Sequence, residues 1–144
     1  MDDAIKQIFQ DKPKDELQVI DVGAGTGLIG VELYRLGYTS LHALDLSQEM
    51  LNEARRKSVY KQFICTPLND QQIPEIETGE FDSLICGGAL FMGHIRPSAF
   101  EEMIRMVKKG KPVTKSLSEF SVRANSFNRG LICVVRRGST LLLT

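Results

Sequence analysis

At 144 residues, with 42% hydrophobic and 25% charged side chains, the chain has the size and balance of one compact domain, 1–144, built on one core. No run approaches the roughly 18 apolar residues a membrane span needs, and the opening MDDAIKQIFQD is acidic and amphipathic rather than signal-like, so a cytoplasmic address is expected, with the nucleus as the alternative. A formal net charge of zero gives no electrostatic case for nucleic acid, and two histidines without a cysteine at ligand spacing give none for a metal.

That zero conceals two different sequences. Residues 1–107 carry ten basic side chains against seventeen acidic ones, and residues 108–144 carry eight against one. The cysteines Cys65, Cys86 and Cys133 are odd in number and each lies in an apolar run, which predicts reduced, buried thiols rather than a disulfide frame.

In chain order, Ile5, Ile8 and Phe9 at helical spacing predict a short N-terminal helix. LQVIDVG is then a short buried strand. From Gly27 the pattern becomes helical, with Ile29, Leu33 and Leu36 on one stripe and Gly37 as its stop. SLHALDL is the second strand. Ser47 caps a helix to about Lys57 in which Met50, Leu51 and Ala54 face inward and Glu53 attracts Lys57.

YKQFICT is the third strand, ended by Pro67, and NDQQIPEIETGE reads as loop. FDSLICGGAL is a fourth strand that breaks at Gly87 and Gly88. Ser98 and Glu101 form a capping box for a last helix whose stripe is Phe100, Met103, Ile104 and Val107, closed by Lys108, Lys109 and Gly110. Strand and helix therefore alternate, which implies a doubly wound α/β fold: a Rossmann-like parallel sheet with right-handed crossovers.

Glycines 23, 25 and 27 sit where the first strand turns into the first helix, the position at which such a fold binds its ligand. Backbone without side chains lets a ligand lie close, and the helix start offers free N–H groups. A phosphate-binding P-loop is excluded, because Leu28 and Ile29 follow Gly27 where lysine and serine or threonine are required. Gly25, Gly27 and Gly30 do satisfy the dinucleotide pattern G-x-G-x-x-G, so an NAD-binding fragment stays open as a reading. Asp21 argues against it: a carboxylate before the glycines repels a pyrophosphate and attracts an ammonium or sulfonium group.

IDVGAGTG resembles motif I of the class I S-adenosylmethionine-dependent methyltransferases, and LHALDLSQEMLNEA and FDSLICGGAL are similar to later segments of that family. The resemblance spans about residues 17–110 and implies the strand order 3-2-1-4-5 in a truncated methyltransferase core, S-adenosyl-L-methionine as cofactor, and methyl transfer to a small-molecule or protein acceptor. It implies that Asp21, Gly23, Ala24, Gly25 and Gly27 surround the methionyl part of the donor. Asp45 then holds the ribose, with Leu46 and Met50 against one adenine face and Leu68 and Asn69 at the adenine edge. Gly87, Gly88 and Ala89 let the fourth strand approach the methyl group. His94 is the candidate base for an acceptor that must lose a proton, although orientation alone can drive such a transfer.

Two departures from the family pattern bear on this. The family carries a longer N-terminal region and two strands beyond the fifth, so a catalytically silent donor-binding or interaction protein is the alternative reading. The basic stretch KPVTKSLSEFSVRANSFNR, 111–129, intervenes before the apolar GLICVV, and is read as a disordered or loosely docked insert. In 130–144, GLICVV then supplies a fifth strand and RRGS turns the chain into TLLLT as the last.

Overall fold

A computed structural model describes residues 12–87, 97–109, 132–136 and 139–141 of the chain. The expected N-terminal helix, the insert at 111–129, and Gly88, Ala89 and His94 lie outside the described residues.

Six strands, β1 (Gln18–Val22), β2 (Ser40–Asp45), β3 (Tyr60–Cys65), β4 (Ser83–Gly87), β5 (Ile132–Arg136) and β6 (Ser139–Leu141), form one sheet in the order β3-β2-β1-β4-β5-β6. The first four are parallel, with Asp21 opposite Ala43 on one side and Ile85 on the other. Helices α1 (Leu28–Arg35) and α2 (Gln48–Arg56) make the first two crossovers, a loop joins β3 to β4, and α3 (Phe100–Met106) follows β4. Both faces of β1 are covered, which is why Val19, Ile20, Asp21 and Val22 are all buried and the strand reads as a continuous run rather than an alternation.

The two faces have separate cores. On one, Leu33 of α1 and Leu51 and Ala54 of α2 pack on Val19, Leu41, Ala43, Tyr60 and Ile85. On the other, Met103 and Met106 of α3 join Ile73 and Ile76 of the loop over Ile20, Val22, Leu44, Ile64 and Leu84. Buried apolar side chains contribute about 1.5–3 kcal/mol each, so these two layers hold the sheet. From β1 the chain winds outward through β2 and β3 and returns on the opposite side as β4. The strand order therefore reverses at the carboxyl ends of β1 and β4, where the glycine turn begins.

Several expectations are corrected. α3 has Ala99 at its N-cap with no side-chain cap; the chain enters through a 3-10 turn at Pro97–Ala99, so Ser98 does not form the capping box. Glu102, in its first turn, is instead buried, accepting from the Ile73 N–H at 2.8 Å and from Arg105 at 2.6 Å, which ties the loop to the helix. Glu53 pairs with Arg56 at 2.6 Å, while the Lys57 ammonium reaches the Glu53 carbonyl rather than its carboxylate. Cys65 is exposed at the end of the edge strand, because the alternation of β3 turns it away from the core; Cys86 is buried.

The fifth strand is also met differently. After α3 the chain returns beside the start of β4, with Lys108 N–H donating to Phe81 O at 2.8 Å in a parallel bridge. β5 then enters beside the other end of β4, Ile132 opposite Gly87, and runs antiparallel to it. β6 pairs back on β5, Arg136 opposite Ser139, the hairpin that RRGS implies. Antiparallel neighbours need no crossover helix, so the sheet is completed without one.

Candidate functional site

The turn after β1 is left-handed at every second residue: φ is +69° at Gly23, +55° at Gly25 and +84° at Gly27. Any side chain at those positions is strained, which accounts for the alternate spacing of the glycines. Ala24 and Thr26 occupy the ordinary positions between them.

The turn is tied down from three sides. Leu44 O accepts from the N–H groups of Gly23 at 2.8 Å and Ala24 at 3.1 Å. Asp45, at the end of β2, accepts from Gly25 N–H through Oδ2 at 2.8 Å and from Ser47 N–H through Oδ1 at 2.9 Å. Gly27 N–H closes onto Ala24 O at 2.9 Å. The first intrahelical bond of α1 runs from Val31 N–H to Gly27 O, so the N–H groups of Leu28 and Ile29 precede it and carry the positive end of the helix dipole.

The glycines differ in what they leave room for. A Cβ at Gly25 would meet nothing within 4 Å, whereas one at Gly27 would come to 3.0 Å from both Ala54 and Tyr60. At Gly30, inside α1, a Cβ would overlap the Tyr60 ring, and at Gly87 it would overlap Ile29. Gly25 thus opens outward, while Gly27, Gly30 and Gly87 are small because neighbouring side chains fill their space. This bears on the dinucleotide reading, whose second glycine must let a pyrophosphate lie against it. Here that glycine, Gly27, turns its open side into the protein.

Asp21 is fully buried on β1. Its Oδ2 accepts from the Tyr60 hydroxyl at 2.6 Å, and its Oδ1 has no partner among the described residues. Burial raises its pKa from 3.8 to about 6, the Tyr60 bond opposing and the nearby Asp45 charge adding to the rise. Tyr60, missed in the sequence, is pushed further toward its protonated form by burial and by Asp21. The signal that could have found it is Gly30 itself: a glycine inside a helix costs about 1 kcal/mol against alanine and needs a packing reason.

The remaining sequence-predicted residues divide. Leu46 and Met50 lie exposed, at 68% and 46%, after β2; Met50 does not face inward as its helical position predicted, although Leu51 and Ala54 do. Leu28 at the start of α1 is 56% exposed, so three large apolar side chains flank the elements of the turn. Leu68 instead packs against the core beneath β3, and the Asn69 carboxamide accepts from Gln71 N–H at 2.8 Å in a local turn. Gly87 ends β4, with the adjoining Gly88, Ala89 and His94 outside the described residues.

With this geometry in view, the sequence model of the methyltransferase domain family matches residues 19–110. The chain is 32% identical over 126 residues to methyltransferase-like protein 27 of Homo sapiens, a match covering 88% of this chain and 48% of that protein. Its fold is similar to that of a Methanococcus maripaludis protein assigned to the S-adenosyl-L-methionine-dependent methyltransferases, with a TM-score of 0.60 and 24% identity over 76% of this chain and 50% of the other. A S-adenosyl-L-methionine-dependent methyltransferase of Thiobacillus denitrificans, solved in complex with S-adenosyl-L-homocysteine, shares the fold at a TM-score of 0.53 and 17% identity, over 76% of this chain and 44% of that one. In each case the chain spans about half the length of the protein it matches.

Proposed function

We propose that this chain, which belongs to the methyltransferase domain family, binds S-adenosyl-L-methionine at the glycine turn and serves methyl transfer to a small-molecule or protein acceptor. The observation that carries the reading is the buried Asp21 carboxylate with one oxygen unpartnered, beside a turn that is open at Gly25. An unpaired buried carboxylate is costly, and a ligand bearing positive charge relieves that cost. The donor has such charge, with a carboxylate for the exposed helix start at Leu28 and Ile29.

Bound there, the donor supplies an electrophilic sulfonium methyl group. Asp21 attracts the cationic end, and Gly23, Ala24, Gly25 and Gly27 provide the backbone floor. Asp45 spends two acceptor positions on Gly25 and Ser47, and a carboxylate has about four, so two stay open for the ribose hydroxyls. Leu46 and Met50 offer apolar surface to the adenine. Leu68 and Asn69, both partly buried after β3, would meet the adenine edge. The work of the site is orientation and exclusion of water, which can lower the barrier without a dedicated base. A cytoplasmic location belongs to the same proposal; among the described residues no helix is long and apolar enough to cross a membrane.

Calorimetric titration of the full chain with S-adenosyl-L-methionine tests the reading. Wild type is expected to bind, and Asp45→Ala to bind about 10–100-fold more weakly, the cost of removing a charged hydrogen-bond acceptor. Absence of heat with wild type overturns donor binding. Binding without passage of a tritiated methyl group to any acceptor in a lysate favours the silent, donor-binding alternative.

A further inference from the structure

We propose that Tyr60 is a positioning residue of the donor site, its hydroxyl fixing the Asp21 carboxylate while its ring sits in the space left by Gly27 and Gly30 at the start of α1. The inference rests on the donor-binding reading and assigns a role to a residue on β3, outside the glycine turn and outside every segment that suggested the cofactor.

The geometry has three parts. Tyr60 begins the edge strand and is 8% exposed, so its ring is held in the core between β3, α1 and α2. Its hydroxyl donates to Asp21 Oδ2 at 2.6 Å and lies against Gly30 in the first turn of α1. The ring fits only because Gly30 has no side chain, since a Cβ there would overlap it. One phenol therefore joins the strand that carries the carboxylate to the helix that begins at the turn. With Oδ2 committed to Tyr60, the oxygen left for a ligand is Oδ1.

The consequence is a charge state as well as an orientation. Among the described residues the titratable groups acting on Asp21 are Tyr60 and Asp45; its register partners Ala43 and Ile85 are uncharged, and α1 meets the Tyr60 ring at Gly30. Among the described residues Tyr60 supplies the one hydrogen bond that favours ionised Asp21 against burial and against Asp45. Without the hydroxyl, Asp21 holds its proton to higher pH and is less able to attract a cation near neutrality.

Tyr60→Phe keeps the ring and removes only the hydroxyl. In calorimetric titrations with S-adenosyl-L-methionine at pH 6.0 and 8.5, the variant is expected to bind about fivefold more weakly than wild type at pH 6.0, where a pKa higher by about one leaves about a tenth of Asp21 ionised against about half in wild type. The ratio of the two dissociation constants should fall to about one at pH 8.5, where Asp21 is ionised in both. Taking a ratio cancels the donor's own titration. A loss that is the same at both pH values, or no loss, overturns the positioning role while leaving donor binding intact. Absence of wild-type binding overturns the donor reading and this role with it. Should the variant not fold, wild type labelled with 3-fluorotyrosine decides: the chain has three tyrosines, and the Tyr60 resonance, assigned with Tyr34→Phe and Tyr38→Phe, is expected to titrate with Asp21 near pH 6. A Tyr60 signal flat from pH 5 to 8 overturns the coupling.

Discussion

Two aspartates are buried against the ends of the same central strand, and their surroundings have opposite character. Asp82, just before β4, accepts from Lys12 at 3.0 Å, Lys108 at 3.2 Å and the Gln18 N–H at 3.0 Å, and these partners hold its pKa below the ordinary value although burial pushes the other way. Asp21, at the carboxyl end of β1, has among the described residues a single neutral donor, an unpartnered oxygen and a second carboxylate nearby. The first fastens the N-terminal ends of the strands, the ends of a parallel sheet where ligands do not bind. The second leaves electrostatic cost in place at the end where they do. Burial alone does not distinguish a structural carboxylate from a functional one; the completeness of its partners does.

The largest expected effect breaks the comparison at Asp21. A carboxyl whose pKa rises from 3.8 in the unfolded chain to about 6 when folded costs about 3 kcal/mol of stability at pH 7. Asn at this position still accepts from Tyr60 but brings an unpaired amide, so Asp21→Asn should raise stability by about 2 kcal/mol in urea unfolding at pH 7. The same substitution should abolish donor binding. The sign of the pH dependence follows: protonated Asp21 has no charge to bury, so the wild type's deficit is absent below pH 4, grows as pH rises from about 4 to 6, and is constant above. A destabilised Asp21→Asn at pH 7 would contradict the assignment of unrelieved charge.

A smaller, opposite effect is expected at the other end. Asp82→Ala releases Lys12 and Lys108, both near half-exposed and able to return to water, and leaves the Gln18 N–H without its carboxylate. The expected loss is about 2 kcal/mol. Because the folded pKa is depressed, this contribution is present above 3.8 and is lost only as pH falls below that value. Between pH 7 and 5 the Asp82 difference should therefore persist while the Asp21 difference shrinks. Donor affinity should stay within about twofold of wild type, as expected for a site at the far end of the strands; a larger change would mean that the two ends are coupled.

The contrast also explains what was legible in the sequence. The alternation of glycines could be read because a left-handed backbone leaves a residue-level mark. Parallel strands followed from local periodicity and the handedness of crossovers, whereas the strand order and the place of Asp45 came from the family resemblance. Tyr60 went unread: Gly30 marks a helix position that something must fill, but it does not name the residue, whose hydrogen-bond partner is 39 residues away, and a tyrosine opening a strand is ordinary on its own. Met50 failed for a related reason: its spacing placed it with Leu51 and Ala54, but an exposed apolar residue beside a ligand crevice has the same pattern as a core one. The antiparallel β5 was hidden because a strand's own composition does not say in which direction it enters a sheet edge.

The smallest effect tests whether any unpartnered buried atom would suffice to mark a ligand site. His42 on β2 lies over the opposite core, its Nδ1 paired with Gln62 Oε1 at 3.1 Å, its ring edge-on to Phe81 at 5.0 Å, and its Nε2 buried without a partner among the described residues. Burial lowers its pKa despite the Gln62 bond. A neutral imidazole tolerates a bare nitrogen far better than a carboxylate tolerates a bare oxygen, so no ligand is needed to relieve it. The folded state resists the proton that the unfolded chain takes up near pH 6.5, so stability should fall as pH is lowered from 7.5 to 5.5. Asp21 acts in the reverse direction over the lower part of that range, and the measurement is cleanest in the Asp21→Asn background. There, adding His42→Gln should flatten the pH profile by less than either aspartate effect. In a chain with native Asp21, His42→Gln should leave donor affinity unchanged. Loss of donor binding on that substitution would mean that the two faces of the sheet are not independent, and the distinction between the aspartates would have to include the histidine.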